Sequence, residues 1–183
     1  MTPTPYRPRT RGLTLIELLV ALLVFVLLVT VGIPSFAQLV DRFRLIATTN
    51  ELVTALHHAR SEAVRTAAPV TLCASANGVH CSGDARWESG WLVFHNPGLA
   101  TQPASANDIL RRRQGNPDGG LEIRGNLPVR HRVTYGALGA TRRLSGALQM
   151  GTLRICNEAA GRAVVINRAG RPRVAHQGCP FDP

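Results

Sequence analysis

The order of apolar and polar residues divides the chain into three stretches. Residues 18–40 form an uncharged apolar run, and a helix of that length can cross the roughly 30 Å hydrocarbon core of a membrane. From Ser35 to Thr66 the chain contains neither glycine nor proline, and apolar residues recur at roughly helical spacing. This pattern predicts an amphipathic helix over residues 35–68 that ends before Pro69.

Residues 69–183 have the pattern of a sheet. Short runs of strand-forming residues alternate with glycine, proline, asparagine and aspartate, which predicts strands separated by turns. One long helix followed by several strands is typical of an α+β domain with antiparallel sheets. The predicted strands are Val70–Ala74, Trp91–His95, Ile109–Arg112, Leu121–Arg124, Arg132–Tyr135, Thr152–Cys156, Ala163–Asn167 and Arg173–Ala175. The helix residues predicted to face the sheet are Phe36, Val40, Phe43, Ala47, Val53, Leu56, Ala59 and Ala63.

The residues before the apolar run indicate its orientation. Arg7, Arg9 and Arg11 precede it without any acidic residue, so the positive-inside tendency keeps the N-terminus in the cytoplasm and sends residues 69–183 across the membrane. A cleaved secretory signal fits less well, because the run is longer than a usual signal core and lacks a small-residue cleavage site. A plain signal anchor is a further alternative, which composition alone does not exclude.

The cysteines agree with an oxidising compartment on the far side of that membrane. Cys73, Cys81, Cys156 and Cys179 form an even set without the closely spaced pairs typical of zinc sites, so two disulfides are expected. Sequence order favours Cys73 with Cys81 and Cys156 with Cys179, although other pairings are possible. No metal is expected at the adjacent histidines 57 and 58, because the sequence offers no third ligand beside them.

Glu17 lies at the start of the apolar run, where a carboxylate is costly and usually has a partner. A free amine created at residue 13 would supply a positive charge beside it. The surrounding sequence resembles the class III signal of type IV pilins and type II secretion pseudopilins, and reads Arg11-Gly12-Leu13-Thr14-Leu15-Ile16-Glu17-Leu18-Leu19. The resemblance implies that a prepilin peptidase cuts after Gly12, that Leu13 becomes the methylated N-terminus, and that Glu17 supports subunit assembly. The family most often has phenylalanine where Leu13 stands, and leucine keeps the position apolar.

This resemblance implies four segments. They are a leader peptide at 1–12, a transmembrane or filament-core helix at 13–34, an amphipathic helix at 35–68, and a periplasmic β-rich domain at 69–183 with a basic C-terminal tail. The implied location is the bacterial inner membrane, followed by incorporation into a pilus or pseudopilus. The implied partners are other pilins or pseudopilins and the prepilin peptidase, and no cofactor is implied.

Further segments narrow the resemblance to one branch of these proteins. Four segments together are similar to the FimT/GspH branch, which includes minor pilins of type IV pili and a minor pseudopilin of type II secretion. They are Asn50–Leu56, Ala59–Val64, Val70–Cys73 and Trp87–Phe94. The likeness covers most of residues 11–175 and is weakest in the loops. The two tryptophans, at positions 87 and 91, are expected to anchor packing around a turn at position 90, with base stacking as the alternative.

Positive charge is concentrated at the two ends of the chain. All 21 basic residues are arginine, and arginines balance acidic residues across residues 35–123. Residues 124–183 hold ten arginines against only Glu158 and Asp182. This excess favours a polyanionic partner such as nucleic acid, anionic lipid or an acidic glycan. A solvated basic face without a partner is the alternative.

Within the basic region, Arg171 and Arg173 alternate by two, so an extended backbone points both to one side. Pro172 favours that extended conformation, and Gly170 supplies a turn. The sequence Gly170-Arg171-Pro172-Arg173 resembles the GRxR motif near the C-terminus of FimT-type pilins that bind DNA during natural transformation. The resemblance implies DNA contacts for Arg171 and Arg173, with Arg168 as a helper. The motif is short, and a solvated strand end is the alternative.

These observations give competing function hypotheses. The leading one is a minor pilin of a type IV pilus that binds extracellular DNA non-specifically for uptake in natural transformation. The alternative is a structural minor pseudopilin of type II secretion, similar to GspH, or a pilus priming subunit without DNA binding. A membrane-anchored adhesin for acidic glycans is a third. An enzyme is not expected, because no paired carboxylates, nucleophile motif or phosphate-binding glycine loop is evident in the sequence.

Overall fold

The computed structural model describes residues 12, 14–158 and 160–179, and of these the side chains of all but residues 31 and 34. The contacts within the chain divide it into two units, residues 1–39 and residues 40–183. One helix, α1 (Leu15–Arg65), begins in the first unit and ends in the second.

In the first unit, α1 exposes large apolar side chains along its length. Leu15 is 79% exposed, Phe25 63% and Leu28 68%. The most apolar window of α1 has a mean hydropathy of 2.9, and none of that window is buried. By length and composition, α1 is the one helix in the described part of the chain that could cross a membrane.

In the second unit, α1 buries one stripe of side chains. Three of the predicted core residues, Leu56, Ala59 and Ala63, are indeed buried. The predictions for Phe43 and Ala47, and for Phe36 in the first unit, are wrong, because these side chains are exposed. Val40 and Val53 are half-buried. Each residue of an α-helix is rotated by about 100° from the one before it. Phe43 therefore lies almost opposite Leu45, which is buried. The buried apolar residues of this stripe are Leu45, Leu52, Ala55, Leu56, Ala59 and Ala63.

The strands of the second unit form two antiparallel sheets, which confirms the α+β prediction. Sheet A has the strand order β3-β2-β1-β5-β6, and sheet B has the order β4-β7-β8-β9. Each predicted strand overlaps an observed one, whereas the two-residue β6 was not predicted. The strands are β1 (Val70–Ala74), β2 (Gly90–His95), β3 (Ile109–Gln114), β4 (Glu122–Gly125), β5 (Arg132–Tyr135), β6 (Thr141–Arg142), β7 (Gly151–Cys156), β8 (Gly161–Ile166) and β9 (Pro172–His176).

One hydrophobic core joins the helix and both sheets. It contains Leu56 from α1, Val93 from sheet A and Leu153 from sheet B. Trp87 is fully buried in it, and its indole Nε1 donates a hydrogen bond to the Arg130 carbonyl oxygen at 2.8 Å. Trp91 is 3% exposed. Both tryptophans therefore pack in the protein and offer no ring face to a nucleic-acid base.

Two disulfides stabilise the second unit, with the pairing that sequence order favours. Cys73 bonds to Cys81, and Cys156 bonds to Cys179. The second bridge joins the end of β7 to the segment that follows β9. A side chain at Gly161 would collide with the Cys179 sulfur, so a glycine here lets the bridge pass the start of β8.

Candidate nucleic-acid interface

The Gly170-Arg171-Pro172-Arg173 sequence spans the end of the connection from β8 to β9 and the first two residues of β9, which is an edge strand of sheet B. We call residues 167–173 the basic hairpin. Asn167 closes its turn, because the Asn167 carbonyl oxygen accepts a hydrogen bond from the Gly170 amide and its side-chain oxygen accepts one from the Arg171 amide, both at 2.9 Å. Proline at position 172 lacks an N–H and is tolerated because the strand lies at an edge.

Gly170 fixes the position of this hairpin. Its φ of 73° lies in the left-handed region that favours glycine. A Cβ atom at Gly170 would collide with the Gly139 carbonyl oxygen and lie 3.0 Å from Tyr135 Cε1. The backbone of the basic hairpin therefore packs directly against the turn between β5 and β6, which is possible only without a side chain.

The strand register places Arg173 on the outer face of sheet B. Arg173 pairs with Val165, whereas the two neighbours of Val165 along β8, Val164 and Ile166, point into the core. Because side chains alternate along a strand, Arg173 points away from the core. Arg171, two residues earlier, and Arg168 in the turn are also exposed.

The guanidinium groups of the basic hairpin are available to a ligand. Among the residues that the structure describes, no carboxylate lies within ion-pairing distance of Arg168, Arg171 or Arg173. Other arginines of the domain are paired: Arg113 Nε lies 2.8 Å from Glu51, and Arg86 Nε lies 3.0 Å from Glu88. Unpaired guanidinium groups can bind phosphate oxygens bidentately.

The outer face of sheet B carries a further arginine that the sequence analysis did not select. Arg154 on β7 pairs in register with Ala163 of β8 and with Arg124 of β4. Arg124 Nε is bonded to Glu122 at 2.6 Å, whereas Arg154 has no ion-pair partner in the described residues. The alternation of β7 marks Arg154 as outward-facing, but only the pairing of β7 with β8 places it about 10 Å, two strand spacings, from β9.

The predicted N-terminal site falls partly outside the described residues. Gly12 is exposed and Leu13 lies outside the described residues. Glu17 occupies the first turn of α1, and its amide donates a hydrogen bond to the Thr14 hydroxyl oxygen at 3.3 Å. A carboxylate in the first turn interacts favourably with the positive end of the helix dipole.

Two adjacent histidines lie on α1, which is a separate element from the basic hairpin. Within the described part of the chain, no group of three or more histidine, cysteine, aspartate or glutamate side chains is arranged to hold a metal ion. His57 is exposed and His58 is half-buried. Burial, and then the nearby charge of Arg111, lower the pKa of His58 below its ordinary value.

Comparisons with known proteins agree with the architecture. Residues 48–170 match the sequence profile of the family described as type II transport protein GspH, and residues 7–33 match the prokaryotic N-terminal methylation motif. The fold is similar to two crystal structures of the type IV minor pilin FimU of Pseudomonas aeruginosa PAO1. The structure in space group P21 has 25% sequence identity and a TM-score of 0.56, and the match covers 75% of this chain and 91% of that one. The structure in space group P65 has 25% sequence identity and a TM-score of 0.55, and the match covers 72% of this chain and 92% of that one.

No curated protein sequence gives a significant match to the chain. The GspH profile nevertheless covers more than half of it, and the methylation motif spans the start of the apolar helix. Proteins of this kind assemble with other pilins in a filament after processing by a prepilin peptidase. From the family match, the motif and the fold, the chain belongs to the GspH family and is a minor pilin or pseudopilin of the FimT/GspH type.

Proposed function

We propose that this chain is a minor pilin of a type IV pilus that binds extracellular DNA without sequence preference, for uptake in natural transformation. The observation that carries the proposal is the basic hairpin. Its three arginines, Arg168, Arg171 and Arg173, are exposed and have no ion-pair partner among the described residues. They lie in the turn before β9 and at the start of β9, and the close packing of Gly170 holds this backbone in place.

The chemistry of this hairpin suits a phosphate backbone. Phosphate contacts by arginine supply most of the affinity of non-specific DNA binding and carry no sequence information. Proteins that bind single strands tightly usually offer exposed aromatic rings on which bases stack, and Trp87 and Trp91 are buried here. We therefore expect contacts to the backbone of duplex DNA, and an affinity that falls steeply with salt.

The N-terminus supplies the anchor in this proposal. A prepilin peptidase cuts after Gly12, Leu13 becomes the methylated N-terminus, and the new amine neutralises the Glu17 carboxylate in the membrane and in the filament. The match of residues 7–33 to the methylation motif supports this assignment. In this proposal residues 13–34 cross the inner membrane, and the β-rich domain lies in the periplasm. The intact mass of the chain extracted from native membranes tests it, because an uncut leader would contradict the assignment.

A structural minor pseudopilin of a type II secretion system is the second candidate. The family profile that matches residues 48–170 carries a type II transport description, which favours it. In that case the domain contacts other pseudopilins and the exposed arginines face solvent. The two candidates predict different effects of removing the arginines alone. DNA uptake falls if the chain binds DNA and is unchanged if the chain is a structural pseudopilin.

The test is a pair of matched double variants in the native host, under conditions in which it takes up DNA. We expect Arg171→Gln with Arg173→Gln to lower DNA uptake by about tenfold or more, since each lost phosphate contact weakens binding, while filament display is unchanged. The control removes the same charge elsewhere, by Arg111→Gln with Arg112→Gln on β3, where both side chains are exposed. Normal uptake in the first variant, together with lost secretion in a deletion strain, would support the pseudopilin instead.

A further inference from the structure

The β5–β6 hairpin lies directly against the basic hairpin. Its turn is closed by a hydrogen bond from the Gly139 amide to the Gly136 carbonyl oxygen at 2.8 Å and by one from the Gly136 amide to the Ala140 carbonyl oxygen at 2.9 Å. The Arg60 guanidinium Nε on α1 donates to the Gly139 carbonyl oxygen at 2.9 Å, which attaches the turn to the helix. A Cβ atom at Gly170 would meet this same carbonyl oxygen, so the two hairpins touch backbone to backbone.

The β5–β6 hairpin carries two exposed arginines of its own. Arg142 ends β6, an edge strand of sheet A, and Arg143 follows it. Neither guanidinium has an ion-pair partner among the residues that the structure describes. The Arg142 side chain folds back along the turn, since a Cβ atom at Gly136 would lie 3.4 Å from Arg142 Nε.

Acidic residues of the C-terminal region lie elsewhere. Glu158 is in the turn between β7 and β8, at the opposite end of β8 from the basic hairpin. Six residues of strand separate the two ends by about 20 Å, which exceeds the Debye length of about 8 Å at physiological salt. Asp182 lies outside the described residues. The charges of the two hairpins therefore add, and Glu158 is too distant to offset them.

We propose that the β5–β6 hairpin is a second phosphate-contact element, with Arg142 and Arg143 binding the same DNA backbone as Arg171 and Arg173. This inference rests on the proposed function and extends its site from one sheet to both. DNA then crosses the line where the two hairpins meet, and the Gly139–Gly170 contact holds the two sets of arginines in a fixed relation.

The test is the salt dependence of duplex DNA binding by the full chain in uncharged detergent micelles. Five proteins are compared. They are the unchanged chain, Arg142→Gln with Arg143→Gln, Arg142→Lys with Arg143→Lys, Arg171→Gln with Arg173→Gln, and the control Arg111→Gln with Arg112→Gln. The control is matched because β3 and β6 are the two edges of sheet A and both changes remove two exposed charges. Fluorescence anisotropy with a labelled duplex of arbitrary sequence gives the dissociation constant at each salt concentration.

We expect the slope of log K against log salt to become shallower by about 1.8 in Arg142→Gln with Arg143→Gln, since each phosphate contact contributes about 0.9. The control should change the slope by less than about 0.5, because long-range charge alone is screened. Arg142→Lys with Arg143→Lys should keep most of the slope, since lysine also binds phosphate. This variant shows whether a change in slope comes from the lost charge or from a disturbed fold. Equal slopes for the test variant and the control would overturn the inference.

The outcomes also separate this inference from the proposed function. If the unchanged chain fails to bind DNA at low salt, both are wrong. If binding depends on Arg171 and Arg173 but is indifferent to Arg142 and Arg143, the proposed function stands and the second element is refuted. If binding depends on Arg142 and Arg143 alone, the second element is supported and the GRxR assignment is wrong.

Discussion

Gly170 determines where the neighbouring arginines of the basic hairpin lie. Its left-handed backbone turns the chain from β8 into β9, and its missing side chain admits the β5–β6 turn. The sequence identifies Gly170 as a turn residue and Arg171 and Arg173 as a pair on one side of a strand. It gives no sign of the contact with Gly139, because the two glycines are far apart along the chain and their meeting depends on how sheets A and B pack.

Gly170→Ala tests this dependence, with Gly146→Ala as the control. Gly146 also has a positive φ, of 84°, but nothing lies within 4 Å of a Cβ atom there. The control should lower the free energy of unfolding by about 1–2 kcal/mol, the usual cost of a left-handed non-glycine residue. Gly170→Ala should cost about 1–3 kcal/mol more, because the added methyl overpacks against backbone.

Thermal unfolding of both variants, followed by circular dichroism, measures the difference. The DNA affinity of Gly170→Ala should fall as well, since the two hairpins must separate to admit the methyl group. Equal melting temperatures for the two alanine variants would show that the Gly139–Gly170 contact is not close-packed.

Among the elements, sequence periodicity predicted the long helix and eight of the nine described strands. It did not predict features that depend on how strands pair, such as the short strand β6. The strands were predicted because strand-forming runs are separated by strong turn residues. β6 was missed because a two-residue strand leaves no alternation to detect. The face of α1 was assigned correctly from Leu56 to Ala63 and wrongly at Phe43, since exposed aromatic residues near the apolar segment imitate a core stripe.

Register, too, could not be obtained from the sequence. The alternation of β7 identifies Arg154 as outward-facing, but its place on the same sheet face as Arg173 follows only from the register of β7 with β8 and of β8 with β9. The disulfide pairing could be favoured because each pair is close along the chain. Four cysteines allow three different pairings, so the sequence alone did not require the observed one.

The Cys156–Cys179 bridge gives a prediction at this scale. It holds the segment after β9 to the end of β7, so we expect Cys156→Ser with Cys179→Ser to destabilise the domain by about 2–4 kcal/mol. The backbone amides of β9, an edge strand, should lose hydrogen-exchange protection first. The control, Cys73→Ser with Cys81→Ser, opens a shorter loop that starts on β1 of sheet A and should leave the protection of β9 in sheet B unchanged. Unchanged exchange in β9 without the Cys156–Cys179 bridge would contradict this account.

The two units of the chain differ in composition. Residues 1–39 contain an apolar helix segment preceded by basic residues, and residues 40–183 form a core of helix and sheets whose C-terminal part is strongly basic. The family could be recognised from the sequence because the N-terminal methylation motif at residues 7–33 is a run of neighbouring residues, which can be identified without knowledge of the fold. The DNA binding proposed for the basic region could not be judged from the sequence, because it rests on the exposure and ion pairing of individual arginines, and these depend on the folded domain.

In the proposed function, the basic hairpin binds the DNA backbone. The decisive measurement is the dissociation constant of the full chain for two duplexes of unrelated sequence, from about 50 to 200 mM salt. We predict equal affinity for both duplexes and a slope of about −3 or steeper, with about 0.9 from each arginine that contacts a phosphate. Binding that persists unchanged in Arg171→Gln with Arg173→Gln, or no binding by the unchanged chain at the lowest salt, would contradict it.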